Sequence, residues 1–226
     1  MKRALVVAAA CAIWGLPAVS LAAPARQGGY VSGFLGVHFT QDTDVSSYND
    51  YFVENYEDRV EFDPGIAVGG AVGYDFGLVR LEGEMSWRGA EIDSITDKVT
   101  GQRFGSVDGD VGVFAVMANA FVDIHNDSPV TPYLGGGIGI GFLYLDDTSG
   151  INWEGYRVPL YSEGDDAVFA YQVGAGVEIA LNRQVSLDVG YRYFGTTEAT
   201  IDDEWPITTK MKFESHNVLL GVRVKF

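Results

Sequence analysis

Few residue types in this 226-residue chain could act as nucleophiles, bases or metal ligands. There are three histidines, His38, His125 and His216, and one cysteine, Cys11. Ser215 and His216 are neighbours, but adjacent strand residues point to opposite faces, so they do not make a nucleophile–base pair. His125 falls in a short connection. The glycine-rich stretch Gly135–Gly141 lacks the lysine and the following helix of a phosphate loop. No EF-hand spacing is present. The expectation is a protein that is not an enzyme, with no catalytic set, no cofactor and no dedicated metal site. A different pattern carries the chemistry. Arg80, Glu82, Glu84 and Arg88 fall on alternate positions, as do Asp188 and Arg192, with Glu178 and Arg223 in similar settings. In strands, such spacing puts charges on one face and apolar residues on the other.

Those faces need elements to carry them. At the C-terminus, Val218, Leu220, Val222, Val224 and Phe226 alternate with Asn217, Leu219, Gly221, Arg223 and Lys225. Val79, Leu81, Met85 and Trp87 alternate with Arg80, Glu82, Glu84, Ser86 and Arg88. Similar alternation runs through 29–40, 65–75, 132–145, 167–181 and 185–194. The stretch Val111–Ile124 is apolar on both faces, with Asn119 expected beside Val113, Ala115, Met117 and Phe121. This gives eight strands. A soluble sandwich would bury the apolar faces, whereas a membrane barrel would turn them to lipid and keep the charges in its lumen.

Charge and export signals favour the barrel. Lys2 and Arg3, an apolar run to about Pro17 and the small residues around Ser20–Ala22 predict a cleaved secretory leader over residues 1–22, leaving a domain at 23–226. Cleavage removes Cys11, Lys2 and Arg3, and takes the formal net charge from −16 to −18. That charge lies in four blocks: net −7 over 41–63, −3 over 91–110, −5 over 146–166 and −3 over 195–210. Long acidic connections follow the first, third, fifth and seventh strands, and short turns follow the others. The fold expected is all-β: an eight-stranded antiparallel transmembrane β-barrel with long acidic extracellular loops and short periplasmic turns. Each strand supplies the roughly 9–11 residues needed to cross a bilayer when tilted. Belts of aromatic residues are expected from Phe39, Trp87, Tyr144, Phe169 and Tyr193 at the outer rim, and from Tyr74, Phe121 and Phe226 at the inner one.

The segments Tyr30-Val31-Ser32-Gly33, Met117-Ala118-Asn119-Ala120, Thr131-Pro132-Tyr133-Leu134-Gly135, Val189-Gly190-Tyr191-Arg192-Tyr193 and Gly221-Val222-Arg223-Val224-Lys225-Phe226 resemble the OmpA/OmpX-like outer-membrane β-barrel family. That family includes porin-family surface antigens and Opa-like proteins. The resemblance covers the chain beyond its leader. It implies the outer membrane of a Gram-negative cell, contact with outer-membrane lipid and lipopolysaccharide, and Phe226 as the signal read by the barrel-assembly machinery. It implies fold and location more than activity, because the family hosts adhesins, structural proteins and small channels. The expectation is a barrel without a following peptidoglycan-binding domain.

Three site expectations result. Arg80, Glu82, Glu84, Arg88, Glu178, Asp188, Arg192 and Arg223 form a lumenal ion-pair network, read either as a structural plug or as a narrow polar path. The inward glycines of the fifth strand leave space for the path. The acidic loops, with Tyr48, Tyr51, Phe52 and Tyr56 among the acids of 41–63, are solvated surface, a face for an extracellular partner, or a weak divalent-cation site. The acidity disfavours nucleic acid. The function expected is structural or surface-antigen, with the loops available for adhesion or recognition, and the alternative is a small low-conductance porin-like channel.

Overall fold

The computed structural model describes residues 27–49, 54–202 and 207–226. The expected leader, Tyr51, Phe52 and the side chain of Tyr56 lie outside the described residues. Among the described residues, fifteen strands form one antiparallel system: β1 (Gly28–Thr40), β2 (Thr43–Asn49), β3 (Glu54–Phe62), β4 (Gly65–Asp75), β5 (Val79–Asp97), β6 (Arg103–Asp108), β7 (Asp110–Asp123), β8 (Val130–Leu145), β9 (Thr148–Ile151), β10 (Arg157–Tyr161), β11 (Gly164–Ala180), β12 (Val185–Thr196), β13 (Ala199–Asp202), β14 (Ile207–Met211) and β15 (Glu214–Lys225).

Eight of them close a ring in the order β1–β4–β5–β7–β8–β11–β12–β15 and back to β1. Closure follows from the solvent. Lipid offers no hydrogen bonds to backbone N–H and C=O groups, so a sheet in hydrocarbon cannot keep a free edge. The seam pairs Tyr30 with Lys225 through Thr40 with Ser215, and the Phe226 amide donates to the Gly29 carbonyl at 3.0 Å. Along the ring strands apolar side chains face outward, and β7 carries them on both faces. Leu35, Val72, Met85, Ile138, Val173 and Leu220 are exposed on the surface that meets acyl chains.

The remaining strands belong to the long connections, which are folded. β2 and β3 lie between β1 and β4, β6 between β5 and β7, β9 and β10 between β8 and β11, and β13 and β14 between β12 and β15. They join the upper end of β5 in the order β13–β14–β2–β3–β5–β6–β9–β10. β5 is the hinge of this arrangement. Its 19 residues run past the barrel rim and pair with β3 and β6 above it. The described parts of the loops therefore form a β-crown that continues the barrel wall.

Candidate functional site

The lumen is filled in two layers. Toward the short turns it holds charges. Arg80 Nε contacts the Asp123 carboxylate at 2.8 and 3.0 Å. Arg223 pairs with Glu178 and reaches Asp188 Oδ2 at 3.3 Å. Lys225 Nζ bridges Asp75 and Glu178, 3.1 Å from each. The Tyr133 hydroxyl donates to Asp188 Oδ1 at 2.7 Å, and the Tyr30 hydroxyl donates to Glu82 Oε2 at 2.7 Å. Glu84 is wholly buried and receives Arg192, Asn119 Nδ2 at 2.9 Å and Gln172 Nε2 at 3.2 Å. Asn119 also donates to Glu82, and Gln172 donates to the Asn119 carbonyl oxygen at 2.8 Å. Guanidinium groups stack on aromatic rings as well: Arg80 over Tyr133 at 4.8 Å, Arg192 over Phe34 at 5.2 Å and Arg223 over Tyr30 at 4.8 Å.

Seven of the eight lumenal charges read from the sequence thus meet an opposite charge. Arg88 does not: no carboxylate lies within ion-pair distance among the described residues. Its Nε donates to Asn217 Oδ1 at 3.1 Å, its Nη1 donates to Ser86 Oγ at 2.9 Å, and its guanidinium lies 4.0 Å from the Phe194 ring centroid. It marks the boundary between the layers. Asp75, Asp123, Lys225, Tyr30, Tyr133, Asn119 and Gln172 complete the network and were absent from the set expected from the sequence. Inward parity was the signal that could have found Lys225, which alternates with the apolar positions of β15, whereas Asn119 was set on one face with Phe121 and that face was not fixed as inward.

Toward the crown the filling becomes mainly apolar, with His38 and Thr196 buried beside Phe213. Val113, Ala115, Met117, Leu143, Ala170, Phe194 and Phe213 are buried together inside the wall. The same cluster continues into the crown through Val45, Val60, Ile92, Ile95, Ala199, Ile201 and Met211. The β9–β10 hairpin brings Leu160 and Tyr161 to this cluster, and the Tyr161 hydroxyl donates to Asp58 Oδ2 at 2.7 Å on β3. Burial holds the Asp58 carboxyl above its usual range, against the pull of that hydrogen bond and with the charge of Asp97 adding to the rise.

Two expectations need correction. Phe121 is not in the inner belt. It is buried in the lumen, edge-on to Tyr133 at 5.5 Å, because β7 has side chains fit for burial on both faces and tertiary packing chose the face. The inward glycines of β8 do not leave open space either. A Cβ at Gly135 would lie 2.6 Å from Phe121 Cδ1, and one at Gly139 would lie 2.8 Å from Met117 Sδ, so the bulky chains of β7 already lie over the stripe. A cavity of about 20 Å³ remains beside Phe34, Glu82, Asp188 and Arg192, room for roughly one water. A larger one, about 290 Å³, opens at the turn end and is lined by Asp75, Asp123, His125, Glu178 and Lys225.

The other expected residues are placed as follows. Phe226 is exposed at the seam, its ring over Gly29. Tyr74 is exposed at the turn end, and Phe39, Trp87 and Phe169 are exposed toward the crown, where Trp87 Nε1 donates to the Tyr144 hydroxyl. Ser215 is buried in the lumen, whereas His216 faces outward and contacts Tyr191 and Gln41. His38 is buried, with Nε2 bonded to the Gly89 carbonyl at 3.0 Å. Among the described residues no three acidic, histidine or cysteine side chains converge as a metal-ligating group.

Comparisons with known proteins agree with this geometry. The model of the outer membrane protein β-barrel domain matches residues 8–226. The outer membrane protein PagN of Salmonella typhimurium is 27% identical over 241 residues, spanning 96% of this chain and 98% of PagN. An uncharacterised protein of Brucella suis biovar 1 is 30% identical over 199 residues, spanning 75% of this chain and 68% of that protein. The crystal structure of OprG from Pseudomonas aeruginosa shares the fold, with a TM-score of 0.57 at 14% identity over 90% of this chain and 98% of OprG. The chain belongs to the outer membrane protein β-barrel domain family and is a protein of the outer membrane of Gram-negative bacteria.

Proposed function

We propose that this protein is a non-catalytic surface protein with a closed lumen, whose crown presents a fixed face to an extracellular partner. The observation that carries this reading is the apolar cluster running from Met117 in the barrel to Val45 and Ile201 in the crown. Such packing holds the loops to the wall and leaves no wet path between the ends of the cylinder. Pre-organisation of this kind lowers the ordering cost of binding. The hairpin turn between β9 and β10 suits recognition. Asn152 Oδ1 accepts the amides of Glu154 at 3.1 Å and Tyr156 at 2.9 Å, which fixes a turn carrying Trp153 and Tyr156, 78% and 67% exposed. Exposed aromatic residues on a rigid turn are frequent anchors of binding surfaces.

The channel reading is separated by single-channel recording of the full chain in planar bilayers. A closed lumen passes no steady current, and a reproducible open state would overturn the proposal. Recognition is tested by cells displaying the chain with Trp153→Ala and Tyr156→Ala. Adherence to a host-cell or abiotic surface should fall while surface abundance stays constant. Equal adherence would remove this turn from the binding face. We also assign Phe226 to the barrel-assembly machinery, since its ring stands free at the closing seam. Phe226→Ala should lower the yield of folded barrel in cells while leaving refolding in detergent unchanged.

A further inference from the structure

We propose that the β9–β10 hairpin of the crown takes an extended segment of a basic polypeptide, with an arginine side chain over Trp153 or Tyr156 and carboxylates meeting its charge. The proposal rests on the recognition role given to the crown and names the chemistry of the partner. Residues 146–166 carry six acids and one base, Arg157. Arg157 is already engaged: its Nη1 donates to Ser149 Oγ at 2.9 Å and lies 4.0 Å from Asp108. Glu154, Glu163 and Asp165 are exposed, and no cation lies within ion-pair distance of them among the described residues. A cation supplied from outside complements them.

The rings of the tip are unmatched in the same way. In the lumen guanidinium groups lie on aromatic faces: Arg88 is 4.0 Å from the Phe194 centroid and Arg80 is 4.8 Å from that of Tyr133. Trp153 and Tyr156 are exposed, and neither ring meets another ring or a cation among the described residues. The turn holds them in place. The Asn152 amide donates to the Tyr156 carbonyl at 2.9 Å, and the Gly155 amide donates to the Asn152 carbonyl at 3.0 Å. Gly155 takes φ +86°, a conformation that glycine adopts without strain. Glu154 follows Trp153 directly in the turn. A cation over either ring gains stacking there and charge from the carboxylate. Guanidinium is planar and stacks on a ring face, whereas ammonium is a compact point charge.

Spacing selects a polypeptide over a single small cation. The Glu163 amide donates to Asp147 Oδ1 at 3.0 Å, which places both acids at the base of the hairpin. From Glu154 at the tip, the five residues of β10 run roughly 16 Å toward that base. An extended segment of about five residues covers this distance. The contact is made by side chains and not by strand addition. β10 pairs with β9 alone, but Pro159 has no amide donor and blunts the strand against further pairing.

The full chain in nanodiscs is titrated with fluorescent peptides, one alternating arginine with glycine and one alternating lysine with glycine, and binding is read by anisotropy. The wild type should bind the arginine peptide, less tightly as salt rises, and the lysine peptide several-fold more weakly. Trp153→Ala/Tyr156→Ala should weaken arginine-peptide binding about tenfold. Glu154→Gln/Glu163→Gln should weaken it about fivefold. Asp42→Asn/Asp63→Asn makes the same charge change at exposed positions elsewhere on the crown side, and should change binding by less than about twofold. An equal loss in that control would overturn the site in favour of diffuse attraction. No binding by the wild type would overturn the proposal outright, and equal binding of the lysine peptide would overturn the choice of arginine. Cells displaying the variants separate this proposal from the recognition role. Adherence kept in Glu154→Gln/Glu163→Gln but lost in Trp153→Ala/Tyr156→Ala would overturn the basic partner and leave recognition standing. Adherence unchanged in both, with peptide binding as expected, would remove the adhesive role and leave this site standing.

Discussion

The two halves of the lumen are filled by opposite means. Near the short turns, charges from β4, β5, β7, β11, β12 and β15 neutralise one another at fixed angles. Toward the crown, alkyl and aromatic side chains from β7, β8, β11 and β12 simply exclude water. The charged layer is directional. Each member is correct only if several strands deliver their partners, and removing one leaves another uncompensated in a low dielectric. The apolar layer is non-directional, so it tolerates exchange of similar volumes and can extend without interruption into the loops. The difference teaches that closure of the barrel and shaping of the crown are separable tasks, done by different physics at opposite ends.

The contrast can be broken most sharply at Glu84. Glu84→Ala leaves the buried Arg192 without its nearest carboxylate and should cost about 3–5 kcal/mol in urea unfolding from lipid vesicles. Glu82→Ala should cost less, because Tyr30 and Asn119 are its main partners, a phenol and an amide. A loss under about 1 kcal/mol for Glu84→Ala would show that the network is not what holds this half together. In the other half, Leu143→Ala should cost about 2–5 kcal/mol by the cavity it leaves, and the crown should become more open to protease at the same time. Crown proteolysis unchanged in that variant would mean the two ends of the cluster are uncoupled.

At the boundary, Arg88→Met should cost less than about 1 kcal/mol, since no carboxylate is stranded by its loss and the thioether chain can fill the space over Phe194. Arg192→Met should be far worse. If both cost the same, the two layers are one. The smallest effect is expected in the crown. The Asp58 carboxyl titrates above its unfolded value, so the stability linked to it is full below the unfolded pKa and is lost as pH rises through the folded one. At neutral pH its charge therefore weakens the crown. Asp58→Asn keeps an acceptor for Tyr161 and removes the charge. Crown proteolysis at pH 7 should slow, and the difference should vanish as the pH falls below the unfolded carboxylate range. Faster cleavage at pH 7 would reverse the sign of this argument.

Much of the barrel was legible in the residues. Val79 to Arg88 alternates so cleanly that the inward face of Arg80, Glu82 and Glu84 follows from parity. The short turns at Asp75-Phe76-Gly77 and Asn182-Arg183-Gln184 were visible from their turn-forming residues between alternating stretches. β7 was not legible in this way, since Val113, Phe114, Ala115 and Val116 could face either side, and Phe121 was set in the wrong layer on one count. The crown was not legible either. Its strands are short, four to nine residues, and give little periodicity to read from local sequence. They are held by β5 running on above the rim and by burial of Val45, Val60 and Ile201 against residues distant in sequence.

The order of amino acids by itself determined which side of each stave is oily, where the charge collects and that the sheet has no place for a free edge. Those properties are local, repeating every two residues, and lipid enforces them strand by strand. Only the tertiary structure decided which charge meets which, that Arg88 has no carboxylate within ion-pair distance among the described residues, and that the upper lumen and the loops share one apolar filling. Such facts depend on the stagger between strands and on side chains arriving from across the cylinder, and no periodicity within a single strand records them.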